Sequence, residues 1–262
     1  MSDADLLEVM DALPLSIMQD VPGVARRIDV PGVMGFRSDV IPSPYVNLVG
    51  RARAAANTID DTIQRVLETF EGLPFSWIVG PLSAPRELVQ KLEQKGLLYY
   101  DHPMRGMVLD DLAMPMPTNS GVEVVRVSPQ DALQYASELA SCFGMGMTPE
   151  AMQYLFIGYR DTQVYLAFSD RTATPIGFAT LTTLSPRLVL LGGAAVSEAW
   201  RGHHVYKTLV KKRLSDARQF GATTALIQAV ADTAAPICRR LGFRDICNFN
   251  VYEGHVEWFE PV

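Results

Sequence analysis

The sequence predicts an α/β (α+β) protein: a mixed sheet with helices on both faces, preceded by a second, partial copy of the same design. Three observations carry this prediction. Residues 122–252 read as alternating strands and helices in the order βααβββαβαββ, a pattern that packs helices onto both sides of one sheet. A stretch rich in Pro and Gly, Asp110 to Gly121, separates them from the first half and sets a boundary between residues 1–118 and 119–262. The third is an echo: Val89–Leu97 and Ile237–Phe243 each end a helix with a basic residue near Gly and then enter a strand.

Taken in order, Ala4 to Met18 carries apolar residues at helical spacing, broken at Pro14. Residues 21–50 read as loops with short strands. Asn57 or Thr58 caps a helix through Phe70, with Ile59, Ile63, Val66, Leu67 and Phe70 on one face. Phe75–Val79 is a buried strand. Ser83 caps a helix through Gln94 that Gly96 ends. Leu97–Tyr100 and Gly106–Leu109 are two strands. Beyond the linker, Val122–Val127 is a strand, and Ser128-Pro129 and Thr148-Pro149-Glu150 each start a helix, cap first and proline next. Strands follow at 164–168, 176–183 and 188–196. A long helix spans His203 to Phe220, then comes a strand from Thr224 to Gln228. The last helix runs from Thr233 to Leu241, and two strands follow near Asp245–Asn248 and Asn250–Tyr252.

Composition narrows the function. The 262 residues are 48% apolar and 20% charged, as in a folded globular chain. No apolar run is long enough for a membrane helix, the acidic N-terminus carries no basic leader, and the three cysteines form no CxxC or Cys/His cluster. A reducing cytoplasm is expected, with no membrane and no metal. Residues 1–118 hold 10 Lys/Arg and 16 Asp/Glu, and residues 119–262 hold 13 of each. The acid surplus of the first half argues against nucleic acid as a partner.

The chemistry concentrates between Leu190 and Lys207: a buried strand ending in Gly192-Gly193-Ala194-Ala195-Val196, a turn, and a helix start. Such a turn presents successive N–H groups at the positive end of a helix, where phosphate binds. Lys207, Lys211, Lys212 and Arg213 follow on the helix, able to hold a further anion or to lie solvated on its surface.

These residues resemble the GNAT acyl-CoA N-acyltransferases. That family carries Arg or Gln, two residues, Gly, one residue, then Gly or Ala. Here the window is Arg201, Gly202, His203, His204, Val205, Tyr206, with His204 and Tyr206 departing from the pattern. The stretch from Ala231 to Phe243 is similar to the family's last helix. The first half resembles the partial repeat of two-domain members. The resemblance implies a mostly antiparallel GNAT-like sheet and acetyl-CoA as co-substrate, lying between two splayed parallel strands. Backbone groups near Ala194, Ala195 and Val196 would bond the pantetheine arm, and the N–H groups of Arg201 through Tyr206 the pyrophosphate. It also implies direct attack by a primary amine, small-molecule or lysine, with a homodimer left open. His204 either blocks the pyrophosphate or donates to it.

The family's Tyr acid is replaced by Cys238, three residues before Leu241, with Tyr252 as a substitute donor. Glu150, beside Tyr154, is the candidate base on the second helix. His102 and His255 read as surface residues, and His203 as facing solvent. The alternative is a non-catalytic CoA-binding or protein-interaction module. The charge split favours a cationic acceptor such as a polyamine, an aminoglycoside-like compound or a lysine side chain.

Overall fold

The computed structural model describes residues 1–144 and 146–254, so His255 lies outside the described residues. The chain forms two compact units. The first comprises Met1–Gly106, Val230–Thr233 and the chain from Ile246, and the second Met107–Ala229 and Ala234–Asp245. This differs from a cut at residue 118 in two places, each with a physical cause. Leu112 and Met116, in the expected linker, are buried in the second unit's core. The last strand leaves the second unit and pairs with a strand of the first.

In the first unit, α1 (Asp3–Ala12) begins with a reciprocal cap between Ser2 and Asp5 and stops before Leu13-Pro14. Three short strands, β1 (Arg26–Arg27), β2 (Met34–Arg37) and β3 (Leu48–Gly50), pair antiparallel in sequence. The next helix, α2 (Ile59–Thr69), follows Thr58 and buries Ile59, Ile63 and Val66, the stripe expected from its 3.6-residue period. β4 (Phe75–Val79) then runs parallel to β3, with Leu48 beside Ser76 and Val49 beside Trp77. Here α3 is Leu88–Gln94 and starts five residues after the expected Ser83 cap. Ser83 Oγ instead accepts from Gly80 N–H at 3.0 Å, and Ala84 bridges Arg53 in extended form, so the backbone is not free to coil there.

One 12-residue strand, β5 (Leu98–Leu109), replaces the two expected. The polar middle that suggested a break, Asp101 to Arg105, is exposed or half-buried and stays in the strand. The same holds for β11 (Arg244–Gly254), whose residues Asn250–Gly254 run antiparallel to Val79–Phe75 of β4. The order across the first unit is β1-β2-β3-β4-β11-β5. Trp77, Phe75, Phe70, Ile63 and Tyr252 fill its core under α2 and α3.

In the second unit, β6 (Val122–Val127) leads into α4 (Pro129–Ala132), a 3-10 turn and α5 (Ala136–Phe143). Ser128 caps α4 through the Asp131 N–H, and Thr148 caps α6 (Pro149–Ile157) through that of Ala151. Next come β7 (Thr162–Ser169), β8 (Gly177–Ser185) and β9 (Leu188–Val196), each antiparallel to the one before. The long helix α7 (Val205–Gln219) then crosses to β10 (Thr224–Val230), which lies parallel to β9 and is followed by α8 (Ala234–Arg240). The order is β10-β9-β8-β7-β6, a mostly antiparallel sheet with one parallel pair. Among the described residues no helix is long and apolar enough to cross a membrane.

The two units repeat one plan. Each has a parallel strand pair joined through a helix: β3–α2–β4 and β9–α7–β10. The sequence echo is the step from α3 into β5 and from α8 into β11. Trp77 is fully buried in the first core. Trp77→Ala should cost about 3–5 kcal/mol, read as a lowered midpoint in urea denaturation.

Candidate active site

The site begins where β9 leaves β10. The two strands pair only through Leu188–Thr224, Val189–Ala225 and Leu190–Leu226. Just beyond, β9 carries an extra residue. Leu191 faces Leu181 and Ala194 faces Ala179 on β8, so Gly192 and Gly193 together oppose Thr180. Such a bulge bends a strand and sharpens its twist, which carries β9 away from β10 while β8 continues to hold it.

Space requires glycine at 192 but leaves room for a Cβ at 193. A Cβ on Gly192 would lie 2.3 Å from Thr180 Oγ1. One on Gly193 would just touch Leu155 of α6, at 3.4 and 3.5 Å, and Phe143 of α5 at 4.0 Å. Ala194 and Ala195 are half-buried and lie past the last residue of β9 that pairs with β10.

After Val196 the chain makes a 3-10 turn (Glu198–Trp200), extends through Arg201, and turns left-handed twice, at Gly202 (φ +79°) and His204 (φ +61°, ψ +11°), before α7. Arg201 through His204 are exposed. Thr208 N–H is the first donor of α7, reaching His204 O at 3.0 Å. The N–H groups of Val205, Tyr206 and Lys207 therefore have no acceptor within the helix. No acidic residue sits in the first turn of α7, so its positive end is not cancelled. By contrast, Asp60 and Asp61 occupy the first turn of α2, its counterpart in the first unit. The turn is braced by Asn119, whose Nδ2 donates to His203 O (2.9 Å) and whose N–H donates to Thr208 Oγ1 (3.0 Å). Arg201 Nε reaches back to Val196 O at 3.4 Å. Asn119 escaped the sequence reading because it lies in a linker-like stretch, with no local signal of its tertiary partners.

His204 stands where the family has Gly for a backbone reason: the position is left-handed, which costs a residue with a Cβ. The Tyr206 ring turns inward, half-buried against the core, with its phenol 3.6 Å from Cys238 Sγ. Cys238 is fully buried, and burial pushes its thiol pKa up although Tyr206 and Arg213 pull it down. Tyr252 belongs to the first unit, paired opposite Trp77, with its phenol donating to Glu93 at 3.4 Å. Its pKa is raised by burial and by Glu93. Glu150 is exposed in the first turn of α6, and Tyr154 is buried against Tyr159 and Gly158. Ala194 to Tyr206 thus form one continuous stretch of strand and turn, while Cys238 lies on α8 and Glu150 on α6 of the second unit and Tyr252 on β11 of the first.

Two of the basic residues on α7 are committed elsewhere: Lys212 pairs with Asp216 at 2.8 Å, and Arg213 is fully buried. Lys207 and Lys211 remain on its accessible surface. His203 is exposed, its ring against Trp200, and His102 is exposed, its ring edge-on to Tyr100.

With this geometry in view, residues 133–243 match the acetyltransferase (GNAT) family. Apart from Val230–Thr233, the matched residues lie within the second unit, from Leu133 ahead of α5 to Phe243 before β11. Solved structures extend the likeness of fold to nearly the whole chain. A GCN5-related N-acetyltransferase from Kribbella flavida superposes with a TM-score of 0.67 at 15% identity, covering 98% of each chain. A tandem GNAT protein from the clavulanic acid biosynthesis pathway gives 0.56 at 16%, covering 96% of this chain and 94% of its own. A GCN5-related N-acetyltransferase from Sphaerobacter thermophilus gives 0.58 at 15%, covering 97% and 85%. No curated protein sequence matches the chain. Over nearly its whole length the chain has the fold of these GCN5-related and tandem GNAT structures.

Replacing His204 by Gly removes the left-handed penalty. The substitution should raise stability by about 0.5–1 kcal/mol, seen as a higher denaturation midpoint. His204→Val, β-branched, should lower it.

Proposed function

We propose that the chain is an N-acetyltransferase that moves an acetyl group from acetyl-CoA to a primary amine. One observation carries the reading: the wall of β9, freed from β10 by the bulge, ends in a left-handed turn at an acid-free helix start. That surface fits a long polar thioester with a pyrophosphate at one end. The backbone of Ala194, Ala195 and Val196 would hold the pantetheine amides. The N–H groups of Val205, Tyr206 and the turn from Arg201 would hold the pyrophosphate, with Lys207 and Lys211 beside them. Acetyl-CoA bound there supplies an acyl carbon activated as a thioester.

The chain's own contribution is positioning, which converts a bimolecular attack into an effectively unimolecular one. Its positive helix end favours the anionic cofactor. Cys238, sealed from solvent, is poorly placed as an acid, and a CoA thiolate leaves without one. A specific observation keeps the non-catalytic reading as the alternative: β9 has no carboxylate, and Glu150 is solvent-exposed. The acid surplus of the first half supports a cationic acceptor. The three unpaired thiols suit a reducing, cytoplasmic setting.

Isothermal titration should give one acetyl-CoA per chain, because Asp60 and Asp61 repel phosphate from the equivalent helix start in the first unit. Arg201→Glu should weaken binding by about tenfold or more. No binding at millimolar acetyl-CoA would end the enzyme reading. With a panel of amines and thiol release as readout, cationic amines should be preferred, and added salt should reduce that preference. Binding without turnover of any amine would favour the non-catalytic module.

A further inference from the structure

Arg213 is a guanidinium with no exposure to solvent, and its surroundings do not explain it as an ion pair. The groups acting on its charge are the phenols of Tyr206 and Tyr165 and the thiol of Cys238. The nearby carboxylate, Asp216, is taken by Lys212 at 2.8 Å and by the Tyr165 phenol at 3.1 Å. Nη2 is buried and makes no hydrogen bond of ordinary geometry, with the Tyr206 phenol as a further polar neighbour of the guanidinium. Burying a charge on these terms is costly, and desolvation lowers the pKa of the guanidinium.

What the side chain does hold is specific. Nε donates to Leu209 O in its own helix at 3.2 Å, which fixes the direction of the guanidinium. Nη1 donates to Thr180 O at 2.9 Å. Thr180 is the residue that faces the bulge, opposite Gly192 and Gly193.

That location matters because β9 has little else to fix its register there. Register is set by side chains that fit only one way, and it is weakly specified in Gly-rich strands. From Gly192 to Ala195 the strand reads Gly-Gly-Ala-Ala. The side chains of this stretch are too small to fix the bulge themselves, and what excludes a Cβ at 192 is Thr180, 2.3 Å from where it would lie, so the register depends on where Thr180 is held. If the bulge moved one residue along, the backbone groups of β9 beyond it would reverse their sides.

We propose that Arg213 is a positioning residue: it pins Thr180 from α7, keeps the bulge at Gly192-Gly193, and thereby keeps the β9 wall aligned for the cofactor. The cofactor part rests on the acetyl-CoA reading above. The pinning itself does not, and it has its own readout.

The test uses the full chain labelled with 15N-glycine. In Arg213→Met, which fills similar volume without a donor, the Gly192 and Gly193 amide peaks should shift or split. Glycines of the first unit, such as Gly23 and Gly72, should stay in place. The acetyl-CoA Kd should rise at least tenfold. In Arg213→Lys, which keeps a donor able to reach Thr180 O, the peaks and most of the affinity should be retained. Unmoved Gly192 and Gly193 peaks in Arg213→Met, with a Kd within twofold of wild type, would overturn the proposal. If Arg213→Met does not fold, Arg213→Lys and the shorter Arg213→Gln are compared in the same spectra. Displacement in Gln alone supports the pin, and identical spectra overturn it. Should the wild type bind no acetyl-CoA, the cofactor reading fails while the glycine peaks still decide the role of Arg213.

Discussion

The second unit turns on one surplus residue. Because Gly192 and Gly193 stand against Thr180 alone, β9 cannot stay flat beside β10 past Leu190. From that parting follow a stretch of β9 with small side chains, a turn that goes left-handed at Gly202 and His204, and a helix whose first N–H groups have no acceptor within the helix. The surrounding residues defend this geometry. Thr180 occupies the space a side chain at Gly192 would need, Leu155 and Phe143 close over Gly193, and Asn119 ties the turn to α7.

Most of the second unit was legible because its signals are local. Ser128 and Thr148 cap their helices as the Ser-Pro and Thr-Pro pairs indicate, and Gly221 and Gly242 follow the ends of α7 and α8 in left-handed form. The strand–turn–helix from Leu190 was legible for the same reason. What failed to show was tertiary. Arg213 reads as one more basic residue on a helix with a charged face, since nothing nearby marks its carbonyl partner 33 residues earlier. Leu112 and Met116 sit among prolines that read as linker, but each buries in the core. Ser83 has the right chemistry for a cap and spends it on Gly80.

The two halves show how one plan diverges. In both, a helix links two parallel strands, but the helix ends differ in charge. Asp60 and Asp61 suit the positive start of α2 and stabilise it from within the chain. The start of α7 has no such residues, so an external anion gains the same stabilisation. His204 adds a left-handed residue with a Cβ at that point, a local cost of the kind that clusters at functional sites.

The pairing of β11 with β4 has a consequence for biosynthesis. Phe75 meets Gly254 across the sheet, so the first half of the chain leaves the ribosome long before its partner strand exists. At about 5–20 residues per second, β4 waits roughly ten to forty seconds with one edge open. An unpaired apolar edge is a template for the wrong strand. The N-terminal half is thus the last to be completed although it is made first, and the nascent chain depends on slow, distant pairing that a unit closed on itself would avoid.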